Sequence, residues 1–163
     1  MPRAAALLLL LLLASCTRVV EQRSFAPDGK LEWSVVMPGS RNTALWLSYV
    51  VTGPAQRVSL GDEAYLVYEF SGALVLKADG GTIYTGSIFL KPEGPAVDRV
   101  YTEARRAHVE RTCGYESCTE RGRIKLLGLQ DVPAGALLDI KAHFPTTSEK
   151  NTLDSAALIL GTN

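Results

Sequence analysis

The sequence predicts an all-β fold, an immunoglobulin-like or Greek-key β-sandwich with one short helix over about 95–107. Three observations predict it. Apolar residues alternate with polar ones at period two in most segments after residue 30, as half-buried strands require. Gly, Pro and Asp turn signals interrupt these segments every 8–12 residues or so, the rhythm of a sandwich or small barrel. Only one segment, 95–107, carries apolar residues at helical spacing.

The chain has 163 residues and opens on Met1-Pro2-Arg3, a short positive segment, followed by an apolar run with seven leucines from Leu7 to Leu13. That run is about half the length a membrane-spanning helix needs. A basic start, a short apolar core and a small-residue exit mark a cleaved secretory signal. Seven adjacent leucines leave a buried amphipathic helix no polar face. The exit is Leu13-Ala14-Ser15-Cys16, which resembles the lipobox of bacterial lipoproteins. The resemblance covers sixteen residues and implies cleavage before Cys16, with a diacylglycerol thioether and an N-acyl chain on Cys16. No other cofactor is expected. Two or more chains hold a protein stably on a bilayer. An ordinary signal cut near Ala14 or Ser15 would instead leave a free thiol. Thr17, not aspartate, follows the cysteine. In the enterobacterial pattern of this family that favours the outer membrane. The periplasmic face is expected in preference to the cell surface. The expected division is a signal over 1–15, a lipidated N-terminus and tether over 16–30, and the sandwich over 31–163.

The chain carries 17 basic and 17 acidic residues, and loss of 1–15 removes one arginine. Near-neutral charge without a basic stripe argues against nucleic-acid binding. Three cysteines are present, and an odd count in an exported protein needs an explanation. Acylation of Cys16 leaves Cys113 and Cys118, with four residues between them, which an oxidising compartment would join. A metal site usually needs four ligands at suitable spacing, and only His108 and His143 could join the pair; redox motifs of the thioredoxin type have two intervening residues.

Residues 17–30 lack periodicity, and Pro27-Asp28-Gly29 signals a turn. Leu31, Trp33, Val35 and Met37 then alternate as a strand, closed by Pro38-Gly39. Residues 44–52 place Leu45, Leu47, Tyr49 and Val51 on one face and Trp46 and Val50 on the other, a strand buried on both sides or covered by a partner. A short strand is expected over 56–60 and others over 64–70 and 73–78. Asp79-Gly80-Gly81 is a tight hairpin signal, and 82–90 returns. Val97, Val100, Tyr101, Ala104 and Ala107 define the helix, with Pro95 in its first turn and Arg105 and Arg106 near its end. The alternative over this stretch is a strand from Arg99 toward Cys113. Strands follow over 122–129, 136–144 and 156–160.

Catalytic signatures are missing. There is no G-x-S-x-G or S-x-x-K, and no H-E-x-x-H, P-loop or G-x-G-x-x-G. His143 falls on the polar side of its strand. His108 stands beside Arg105, Arg106 and Arg111 with no recognisable nucleophile. The expectation is therefore a protein that is not an enzyme. It would be an outer-membrane lipoprotein acting as an interaction or structural component of an envelope machine for assembly, secretion, pili or gliding motility. Its partners would be the membrane, through the lipid, and an envelope protein, but no nucleic acid. Arg99, Tyr101, Arg105, Arg106, Arg111, Tyr115, Arg121 and Arg123 form the candidate partner surface, since arginine and tyrosine are enriched at interfaces. Glu103, Glu110, Glu116 and Glu120 could pair with these arginines as surface ion pairs. Two other readings remain: a lipid or glycan carrier with Trp33, Trp46 and tyrosines lining a pocket, and a hydrolase with an unfamiliar site.

Overall fold

The computed structural model describes residues 18–39, 42–59, 61, 63–91 and 106–162. They form two antiparallel sheets packed as a β-sandwich, with no helix among the described residues. The strands are β1 (Arg18–Ser24), β2 (Lys30–Val36), β3 (Thr43–Pro54), β4 (Phe70–Ala78), β5 (Gly81–Leu90), β6 (Arg106–Cys113), β7 (Ser117–Gly128), β8 (Leu137–His143), β9 (Thr147–Ser148) and β10 (Asn151–Thr162). One sheet runs β1-β10-β3-β7-β6, with β9 paired to β10; the other runs β2-β8-β4-β5.

Period-two patterning sets which side chains face the core. Leu31, Trp33 and Val35 of β2, Leu138 and Ile140 of β8, and Leu74 and Leu76 of β4 are buried. They belong to one cluster with Leu45, Leu47, Tyr49 and Val51 of β3 and Leu158 and Leu160 of β10. Burying each large side chain stabilises the fold by about 1.5–3 kcal/mol. On the opposite face of the first sheet, Ala44, Trp46 and Ile159 make a second small cluster. That is why β3, an interior strand, is apolar on both faces at its start. Asp79 and Gly80 both have positive φ, 47° and 82°, the geometry of a two-residue hairpin turn. The Asp79 carboxylate also accepts the backbone N–H of Leu137 at 2.9 Å.

The sandwich has two distinguishable ends. At one, Arg18 pairs with Thr162, and Thr162 with Thr43. The crossings between the sheets after β2 and before β8 lie there too, since Leu129 N–H donates to Thr43 O, and Met37 N–H to Ala136 O. At the other end, Pro54 pairs with Ser117. The twelve residues of β3 span this distance, about 36 Å at 3.3 Å per step.

Three expectations need correcting. The tether over 17–30 is largely a strand: β1 lies within it and pairs with β10 from Arg18 to Ser24. All seven β1 residues are exposed, so burial leaves no period to read; backbone pairing and the Trp33 Nε1 bond to Glu21 Oε1 (3.3 Å) hold it. The folded domain therefore starts before residue 31. The helix over 95–107 falls mostly outside the described residues, but its last two positions, Arg106 and Ala107, pair with Ile124 and Arg123 of β7 as strand. Finally, 56–60 and 64–69 make one bridge, Gln56 to Tyr65, instead of two strands. Ala64, Leu66 and Tyr68 are still buried in alternation. Here the Asn151 side chain, not a neighbouring strand, satisfies the Val67 carbonyl (3.0 Å).

Candidate functional site

The β6–β7 hairpin caps the end of the sandwich far from Arg18. Its register pairs Arg111 with Glu120, Thr112 with Thr119, and Cys113 with Cys118. Directly opposed residues share a face, so the two cysteines point inward together and form the disulfide. The four-residue loop is closed again by Gly114 N–H donating to Ser117 O (2.8 Å), and Ala55 N–H donates to Glu116 O (2.9 Å). Arg57 Nη2 reaches Gly114 O at 3.4 Å. On this braced tip Tyr115 is 86% exposed.

Beneath the tip lies a buried charge. The Glu120 side chain is 0% exposed. Its Oε1 accepts the Tyr68 hydroxyl at 2.6 Å and the Tyr49 hydroxyl at 3.1 Å. Its Oε2 accepts Arg111 Nε at 3.1 Å and Nη2 at 2.7 Å. A buried carboxylate is tolerated only when paired and hydrogen-bonded, and here one oxygen takes an arginine fork while the other takes two phenols. The three strands and the bridge segment that supply these groups are thereby tied beneath the hairpin. Gly122 makes room: a Cβ there would lie 2.8 Å from the Tyr49 hydroxyl. Gly53 plays the same part for Asn151, whose Oδ1 would be 1.9 Å from an added Cβ. Both oxygens of Glu120 are committed to donors, so the group acts as a tie and not as an open proton acceptor.

On the outer face a hydroxyl ladder runs across the sheet. Thr119 and Thr52 hydroxyls are 3.0 Å apart, and Thr52 donates to Asp154 at 2.6 Å.

The structure redistributes the expected partner surface. Cys16, Arg99, Tyr101 and Arg105 lie outside the described residues. Arg106 starts β6. Arg121 is exposed and Arg123 half-buried on the outer face of β7, and Arg121 stands opposite Glu110. Arg111 is a correction. It faces inward to Glu120, and its side chain keeps only 26% of its surface open, because Arg111 occupies the inward register of β6. For the same reason Glu120 is no surface partner. The aromatics proposed as pocket lining are packed instead: Trp33, Tyr49 and Tyr68 in the main core, Trp46 in the small outer cluster. The sequence reading missed the Glu120–Tyr49–Tyr68 hub. Its trace is the alternation Cys118, Glu120, Gly122, Ile124, which puts Glu120 on the disulfide's face. Among the described residues no three His, Cys, Asp or Glu side chains group to hold a metal, and no helix is long and apolar enough to cross a membrane.

No family model matches the chain, and no curated protein is similar to it. Among solved structures, dimeric latent PorU from Porphyromonas gingivalis aligns with 86% of this chain at 13% identity and a TM-score of 0.21. The chain spans 11% of that protein's length. An overlap at this level fixes neither a shared fold nor a shared activity.

Proposed function

We propose that this protein is a lipid-anchored module of the bacterial envelope that works by protein–protein contact, tethered through Cys16 at the outer membrane and presenting the β6–β7 hairpin to a partner. Tyr115 carries the reading: a tyrosine 86% exposed on a loop closed by a disulfide. Exposed aromatic anchors on rigid supports are the usual centres of binding energy, and a loop already ordered loses little freedom on docking. Polarity of the molecule supports it as well. The first strand starts at Arg18, at the end opposite the hairpin, and Cys16 stands two positions before it in sequence, so an anchor on Cys16 would leave Tyr115 facing away from the lipid.

The test replaces Tyr115 with a photoreactive phenylalanine analogue in the full-length protein and irradiates intact cells. A discrete protein adduct that is lost when the same analogue is moved to exposed Glu32 supports the reading. Adducts only to lipid or glycan at Tyr115 overturn it in favour of a carrier. In parallel, Cys16→Ser should move the protein from the membrane to the soluble fraction; unchanged retention would defeat the anchor.

A further inference from the structure

The outer face of the second sheet changes character along its length. Three cross-strand pairs between β2 and β8 point outward in register: Glu32 with Lys141, Ser34 with Asp139, and Val36 with Leu137. The first is an ion pair at 3.3 Å and the second a hydrogen bond. The third is two aliphatic side chains, 60% and 45% exposed. The gradient runs toward the Arg18 end. Edge strand β1 repeats it: Glu21, Gln22 and Arg23 give way to exposed Val19 and Val20 next to Arg18. Exposed Ile83 adds to the same end, just past the Asp79-Gly80 hairpin. Exposed apolar residues scattered singly need no explanation. An apolar pair directly opposed in a ladder, at the same end of the sandwich as two exposed valines on the edge strand of the other sheet, is more than scatter.

We propose that this rim, formed by Val19, Val20, Val36, Ile83 and Leu137, rests in the interface of a phospholipid bilayer. The proposal builds on the anchor reading above. One residue, Thr17, separates Cys16 from Arg18, a span of at most about 7 Å, so acyl chains on Cys16 hold the Arg18 end against the headgroups. Interfacial apolar faces bury about 5–10 Å into that layer, within reach of side chains at this end. The lipid thus fixes the tilt of the domain as well as its location, and the rim orients the hairpin toward solvent.

The test uses full-length acylated protein in phosphatidylcholine vesicles, with an environment-sensitive fluorophore on Val36→Cys and, separately, on Tyr115→Cys. The expected result is a blue-shifted Val36 probe with an iodide quenching constant several-fold below that of the Tyr115 probe. Leu137→Cys, on the partner strand, should match Val36. Equal iodide access at Val36, Leu137 and Tyr115, with the acyl mass present on Cys16, overturns the rim contact alone. Absence of acyl mass on Cys16 overturns the anchor reading and the rim contact together.

Discussion

Replacing Arg111 with methionine strips the buried Glu120 carboxylate of its cationic partner and leaves it with two phenols. Removing one partner of a buried ion pair typically costs about 3–5 kcal/mol, because the remaining charge stays desolvated. The Arg111 side chain is 26% exposed while Glu120 is 0% exposed, so water reaches one side of the pair and the lower bound of about 3 kcal/mol applies. With a urea m-value of about 2 kcal/mol/M, the unfolding midpoint should fall by about 1.5 M. The measurement is equilibrium urea unfolding of oxidised protein, so that the disulfide contributes equally to both proteins. A compensated variant isolates the cause. Arg111→Met, Glu120→Leu, Tyr49→Phe and Tyr68→Phe together remove the charge and both donors while keeping side-chain volume. Apolar replacement of a whole buried polar group is often neutral, so this variant should return to within about 1 kcal/mol of the parent. A loss below about 1 kcal/mol for Arg111→Met would refute the argument. So would a combined variant no more stable than the single one.

Gly122→Ala should cost about 1–3 kcal/mol by overpacking, since its Cβ would meet the Tyr49 hydroxyl at 2.8 Å; combined with Tyr49→Phe the loss should be less than additive in the same urea assay. Cys113→Ala with Cys118→Ala opens a short loop and should destabilise by roughly 2 kcal/mol on the chain-entropy model, read as a lowered melting midpoint. The Asp28 carboxyl is held below its usual range, first by the Lys30 backbone N–H and then by the Lys30 side chain. A depressed carboxyl favours the folded state above its unfolded pKa, and that contribution is lost as pH falls through the folded value. In an NMR titration Lys30→Met should raise the Asp28 midpoint only part of the way, because the backbone donor stays; full reversal would assign the effect to the ammonium.

The fold was legible where burial alternates. In β2 and β8 every second residue is apolar and buried, so period two could be read directly. The Asp79-Gly80 turn was legible because positive φ selects for those residues. What escaped had no burial signal or had a competing one. β1 is exposed throughout and is recognised only by its partner, β10. Residues 64–69 show a strand's alternation without a strand's ladder, since a side chain from a distant segment holds the backbone. At the candidate site the two cysteines were legible from their count. The inward turn of Arg111 and Glu120 was not, because charge suggests solvent and only the register with the disulfide reveals the face. Tyr115 stood out by type, but its position at the far end from Arg18 is a matter of topology.

The last strand of the described chain does not lie at the edge of its sheet. β10 sits between β1 and β3 and joins Arg18 to Thr162. Pairings that distant in sequence close slowly, because loop entropy is lost before any contact repays it. During synthesis β1 has no strand to pair with until residues 151–162 emerge. The first sheet is then completed by an insertion and not by an addition. A chain stalled or clipped before residue 151 would lack an inner rung, and would expose the unpaired edge of β3 as a template for aggregation.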